Sequence, residues 1–223
     1  INKTFKNIIY QNSSDENLFN KYSKFTNNSH LIESSGLQGN QYLLKEKFNK
    51  QLKILLAGRL LEDKGIKKYV NLASQMNSDN FKFYLAGELD EGNPKSLTQR
   101  DLEDIKNNKF VEYLGYLDLK KELQEYDVLI SLSDHEGFSR ILLEAVYVGL
   151  YCIAYKNSGT EFIENFQNTR TVDSKDLELI NDEITNVLNT EKSVSLNNRE
   201  IIIKKYSTKN IANSFNEIYK LDI

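Results

Sequence analysis

Residues 133–149 read SDHEGFSRILLEAVYVG, and the chain is best interpreted outward from them. They follow an apolar run at 128–132 (VLISL), pass through Glu136, Gly137, Phe138 and Ser139, and then take on helical periodicity. Ile141, Leu142, Ala145, Val146 and Val148 form an apolar stripe, and Gly149 supplies a helix stop. The order is strand, short glycine-containing turn, helix. Such a helix start offers unpaired backbone N–H groups and the positive end of the helix dipole, which together favour an anion. Glu136 and Glu144 frame that position, about two helical turns or ~12 Å apart along the axis. A nucleoside diphosphate sugar separates its sugar from its ribose by about that length, so each acid would serve one end with the phosphates between. Glutamates at this spacing also occur as solvated helix charges, and the pair decides nothing alone.

The flanking sequence supplies the context. Before the stretch, Leu52–Ala57 (LKILLA) is a buried strand ending at Gly58, and Ile66, Tyr69, Val70 and Ala73 form a helical face. Phe81–Ala86 (FKFYLA) is a strand ending at Gly87, 97–106 a helix, 111–114 a strand ending at Gly115, and 119–126 a short helix. After it come a strand at Tyr151–Tyr155, a helical turn at 160–165 and a strand at Thr169–Val172. An amphipathic helix carries Leu177, Ile180, Ile184, Val187 and Leu188, and helices at 197–205 and 210–221 follow. Strands alternating with helices predict an α/β fold with a parallel sheet covered on both faces. Gly58, Gly87 and Gly115 each follow a strand, where an open sheet of this kind binds ligands. Residues 7–11 and 30–34 read as short strands around a helix at 15–22 capped by Ser13 or Ser14, too little for a separate core. Gly36 and Gly39 mark a turn, and 38–50 is polar enough to be a connector.

Composition narrows the function. The chain has 223 residues with 29 basic and 32 acidic side chains, a net charge of -3, which gives no reason to expect nucleic acid or an anionic membrane as the main partner. Cys152, the single cysteine, lies in an apolar run and reads as a small buried hydrophobe in a reducing compartment. No stretch approaches the ~18 apolar residues of a membrane span, and no signal peptide is visible. The chain begins at Ile1 and its one methionine is Met76, so a fragment is expected.

After the first buried strand the chain reads Gly58-Arg59-Leu60-Leu61-Glu62-Asp63-Lys64-Gly65. Arg59 and Lys64 would stand over the sheet edge, where two cations can clamp a diphosphate. The spacing is not that of a nucleotide-hydrolase phosphate loop, and no dinucleotide GxGxxG is present. Glutamates together with Arg59 and Lys64 over one sheet edge suit a nucleotide whose sugar is transferred.

Five runs now stand in order: KILLAGRLLEDKGI (53–66), FYLAGE (83–88), VEYLGYL (111–117), the 133–149 stretch and NSGTEFI (157–163). Together they resemble the C-terminal domain of the retaining glycosyltransferases with two Rossmann-like halves, the large family 4 group of the GT-B fold, over roughly residues 52–166. Glu136 and Glu144 match its E-x7-E signature. The resemblance implies a Rossmann-like donor domain at 46–206, a remnant of an N-terminal acceptor domain and linker at 1–45, and a helix at 207–223 crossing back to that half. It implies that Arg59 and Lys64 hold the donor diphosphate, that Glu136 contacts donor-sugar hydroxyls and that Glu144 binds ribose. Gly137 and the backbone N–H groups around Phe138, Ser139 and Arg140 would face sugar and phosphate, Tyr116 and Leu117 would lie against the base, and Gly58 and Gly87 would form the glycine turns. Ser139 stands where glycine is frequent, Leu150 where proline is common, and Ser158-Gly159-Thr160-Glu161 replaces a frequent Gly-Gly pair.

The expected activity is transfer of a sugar from a nucleoside diphosphate sugar, a UDP-sugar first, to an acceptor hydroxyl with retention and without a metal or other cofactor. The expected setting is bacterial surface polysaccharide or glycolipid synthesis, in the cytoplasm or at the inner membrane face. The acceptor would bind through a missing N-terminal domain, with peripheral membrane association of the full enzyme and no nucleic-acid partner. Two other readings compete: a nucleotide-sugar-binding module without transfer, which would not need Glu136, and a signalling receiver domain. The latter requires acids directly after the first strand, and none is present. His135 and His30 receive no role.

Overall fold

A computed structural model describes residues 7–22, 29–173, 176–189 and 194–219. It begins with β1 (Ile8–Tyr10), α1 (Ser13–Tyr22) and β2 (Ser29–Leu31), the two strands pairing in parallel. The cap of α1 is neither serine. Asn12 Oδ1 accepts from the Asp15 amide at 2.7 Å, so the helix already starts at Ser13. β2 is shorter than the 30–34 expected, because Ser34 and Gly36 take positive φ values of 76° and 89° and turn the chain away.

The main body contains β3 (Leu52–Ala57), α2 (Ile66–Gln75), β4 (Phe81–Ala86), α3 (Gln99–Lys106), β5 (Val111–Gly115) and α4 (Leu119–Glu122). It continues with β6 (Val128–Ser131), α5 (Arg140–Val148), β7 (Tyr151–Tyr155), β8 (Thr169–Val172), α6 (Leu177–Asn189), α7 (Leu196–Tyr206) and α8 (Thr208–Tyr219). The short helix expected at 119–126 divides into α4 and a 3-10 turn, Leu123–Glu125, and the turn at 160–165 is a 3-10 segment, Glu161–Asn165. The last two residues of the helix expected at 210–221 lie outside the described residues.

Six strands form one parallel sheet in the order β5-β4-β3-β6-β7-β8. Helices cover both faces, as a parallel sheet with helical crossovers requires. Ile54 and Leu56 of β3 pack with α2, α3 and α6, while Leu55 packs with α5 and α7 on the opposite side. This is why the strands read as unbroken apolar runs rather than alternating ones. α5 is buried from Leu142 to Val148 and ends at Gly149.

The 38–50 connector is more than a solvated link. Lys45 Nζ lies 2.9 Å from Asp127 Oδ1 with both side chains almost fully buried, and Asp127 also accepts from the Asn49 and Lys53 amides. The connector is thereby tied to the starts of β3 and β6. The α7–α8 junction closes on the earlier turn, with Leu37 N–H donating to Tyr206 O at 2.8 Å and Lys205 pairing with Glu33 at 2.6 Å.

Candidate active site

The sheet order reverses between β3 and β6, since the chain runs outward from β3 to β4 and β5 on one side and from β6 to β7 and β8 on the other. Loops leaving the carboxyl ends of β3 and β6 therefore diverge and open a crevice. A cavity of about 500 Å³ occupies it.

The loop from β3 to α2 brings Gly58, Arg59 and Lys64 to the cavity wall. Arg59 is mostly exposed, its guanidinium 2.7 Å from Asp90 Oδ2. A hydrogen bond from Asn93, followed by the Arg59 contact, holds the Asp90 carboxyl below the usual carboxylate range. Lys64 Nζ sits 2.5 Å from Glu136 Oε1, with both side chains about four-fifths buried. A diphosphate and a carboxylate are alternative partners for the same ammonium, so this wall is a cationic site with one anion already on it.

The loop after β4 contributes Gly87, whose φ is 148° and whose Cβ, were there one, would stand 1.8 Å from Gly58 O. No side chain fits there. The glycine amides are committed, Gly58 N–H to Ala86 O at 3.0 Å and Gly87 N–H to Gly115 O at 2.8 Å. They supply close approach rather than free donors, and Gly115, the third strand-end glycine, is not among the lining residues. Beyond β5, Leu117 is buried at the wall and Tyr116 is 75% exposed beside it at the cavity edge.

The turn from β6 to α5 provides Glu136, Phe138, Ser139 and Arg140. The Phe138 ring stacks on Phe162 with centroids 4.3 Å apart, which fixes the turn against the core. A Cβ at Gly159 would lie 2.4 Å from Glu136 O, so glycine is needed for the two loops to touch. The Ser139 amide donates to Gly159 O at 2.9 Å and is not free for a ligand, unlike the expected helix-start donor. Arg140 and Ile141 hold the first two helical positions, whose amides have no carbonyl within the helix to bond.

The structure thus gathers Gly58, Arg59, Lys64, Gly87, Tyr116, Leu117, Glu136, Phe138, Ser139 and Arg140 around one cavity. Gly137 lines an adjoining depression together with Arg59, Lys64, Glu136 and His135. Glu144 is set back on the second turn of α5, its side chain 7% exposed and its Oε1 2.9 Å from Arg140 Nε. It is not among the residues lining the cavity; Arg140, which covers it, is. Tyr42 of the connector packs beside the pair, and burial, then Glu144, pushes its hydroxyl pKa well up.

Three participants escaped the sequence reading. Asp90 lies three residues past Gly87 and was within reach of it, as an acid following a strand-end glycine. Tyr42 carried no local signal. Neither did Asn12, 5% exposed, whose Nδ2 donates to Gly137 O at 2.9 Å across 125 residues of sequence. The Cys152 thiol is fully buried and burial pushes its pKa up, against any role as a thiolate. His30 lies away from the cavity, its Nε2 3.2 Å from Asn7 Oδ1.

Similar folds occur among solved structures. Sucrose-phosphate synthase from Thermosynechococcus elongatus aligns with a TM-score of 0.80 at 19% identity, covering 95% of this chain and 57% of that one. The Anabaena protein Alr3699/HepE, in complex with UDP-glucose, aligns at 0.79 and 18% identity, covering 99% and 65%. The pneumococcal O-GlcNAc transferase GtfA, in complex with UDP and GlcNAc, aligns at 0.69 and 19% identity, covering 95% and 44%. The chain therefore spans between 44% and 65% of the length of these three structures. They share with it the Rossmann-like α/β fold of the GT-B glycosyltransferases. No curated protein matches by sequence. Among the described residues, no helix is long and apolar enough to cross a membrane. The sequence profile described as "Glycosyl transferases group 1" matches residues 44–218, and the chain belongs to that family.

Proposed function

We propose that this chain is the donor-binding part of a retaining glycosyltransferase, which moves a sugar from a UDP-sugar to an acceptor hydroxyl. The observation that carries the reading is the meeting of Arg59, Lys64, Glu136 and the start of α5 on one cavity at the switch point of the sheet. Structures with the same fold that contain UDP or UDP-glucose support a uridine nucleotide as donor.

Negative charge collects on the departing diphosphate as the glycosidic bond breaks. Arg59, Lys64 and the α5 dipole offset it in place, so no divalent metal is called for. Loss of one such preorganised donor costs about 3 kcal/mol of barrier, roughly a hundredfold in rate. When a phosphate takes the Lys64 ammonium, Glu136 is left with an uncommitted oxygen to accept from a sugar hydroxyl. Glu144 would accept from ribose hydroxyls once Arg140 swings aside, and Tyr116 would cover the base.

Under this reading, residues 46–206 are the donor domain, 1–45 belong to an acceptor half and its linker, and 207–223 return toward that half. The acceptor is a saccharide or lipid-linked sugar of bacterial surface polysaccharide or glycolipid synthesis. The full enzyme would work in the cytoplasm, peripherally at the inner membrane face. Calorimetry of the chain with UDP and UDP-glucose, in the presence of a chelator, tests the reading. Binding of both, with tighter binding of UDP-glucose, is expected, together with no transfer by this chain alone; binding of neither would overturn it. UDP-glucose binding no tighter than UDP would favour a nucleotide module without transfer.

A further inference from the structure

Ser139 occupies the N-cap position of α5, is 2% exposed and lines the cavity. A serine at this position ordinarily turns its oxygen back to accept an amide of the first turn. Ser139 makes no such bond, and its Oγ is buried without a hydrogen-bond partner among the described residues. Its own amide is spent on Gly159 O at 2.9 Å. A buried hydroxyl left unpaired lowers stability, and folding by itself gives no reason to keep one. The neighbouring amides of Arg140 and Ile141 likewise have no intrahelical carbonyl. An anion seated at the helix start satisfies all of these donors together.

We propose that the Ser139 hydroxyl donates a hydrogen bond to a phosphoryl oxygen of the bound nucleoside diphosphate, and is a binding residue rather than a helix cap. This rests on the donor-binding reading above. A hydroxyl has a flexible reach that a backbone amide lacks, and it compensates here for an amide that Gly159 has taken. Diphosphate recognition at this helix therefore runs partly through a side chain.

The test is Ser139→Ala in the whole chain, read by thermal unfolding without ligand and by calorimetry with UDP and with UDP-glucose. The expected result is an unchanged or raised Tm, because no cap bond is lost, with both ligands weakened equally by about tenfold or more. A lowered Tm with unchanged affinities would overturn the proposal, since the hydroxyl would then be a cap. A loss confined to UDP-glucose would assign it to a sugar hydroxyl, and unchanged affinities with an unchanged Tm would leave it without a ligand; both overturn it. Failure of the unsubstituted chain to bind either nucleotide would instead remove the donor-binding reading, and this proposal with it.

Discussion

Lys64 Nζ lies 2.5 Å from Glu136 Oε1 across 72 residues of sequence, which ties the loop after β3 to the loop after β6. Both side chains are largely withdrawn from water, so the contact is less screened than a surface ion pair. It also makes Glu136 a competitor of any phosphate that Lys64 binds.

Glu136→Gln removes that competition while keeping the shape. UDP should bind as well as before or tighter, and the extra affinity that the sugar brings should shrink. Lys64→Ala should weaken UDP and UDP-glucose together by about tenfold to a hundredfold, the range of a charge-assisted hydrogen bond. Calorimetry with the two ligands separates these effects. Equal losses for both ligands in the Glu136 variant would end the assignment of sugar to one residue and phosphate to the other.

Glu144 sits behind Arg140, so its ribose role depends on the arginine moving. If Glu144 accepts from ribose hydroxyls, the unsubstituted chain should prefer UDP over its 2′,3′-dideoxy analogue, and Glu144→Ala should abolish the preference. Persistence of the preference would mean that Glu144 serves only to hold Arg140, at 2.9 Å, in place.

Asn12 caps α1 through Oδ1 and holds Gly137 O through Nδ2. Asn12→Asp keeps the cap oxygen and loses the amide donor, setting a carboxylate against both Gly137 O and Asp15 Oδ2, each of which accepts from Nδ2 at 2.9 Å. Its Tm should stay within a few degrees of the unsubstituted chain while UDP-glucose affinity falls, because the Glu136–Phe138 turn is no longer pinned. Asn12→Ala should lose the cap too, at about 1 kcal/mol. A normal affinity in the aspartate variant would show that the turn positions itself.

The Lys45–Asp127 pair is buried, with side chains 2% and 0% exposed. Lys45→Met leaves Asp127 charged among apolar strands, and removing one partner of such a pair costs about 3–5 kcal/mol. Asp127 keeps its bonds from Asn49 and Lys53, which places the loss near the lower end. Urea unfolding should show a lower midpoint at an unchanged slope. A loss below about 1 kcal/mol would mean that these remaining donors carry Asp127 alone.

LKILLA, FKFYLA and the stripe of α5 announced a doubly covered parallel sheet, and Gly149 the end of α5, because each depends on backbone geometry within one short segment. The same local rules marked Arg59, Lys64 and Glu136 as loop residues at strand ends. They carried no information on partners. That Lys64 meets Glu136, Arg59 meets Asp90 and Asn12 reaches Gly137 was decided by the strand order β5-β4-β3-β6-β7-β8. The Arg140–Glu144 pair is itself local, four residues apart on α5, but Ser35, which accepts from Arg140, and Tyr42, which packs beside the pair, reach it only through the fold. Periodicity is a property of neighbouring residues and can be read along the chain. Contact between loops depends on which strands lie side by side, and only the folded sheet determines that.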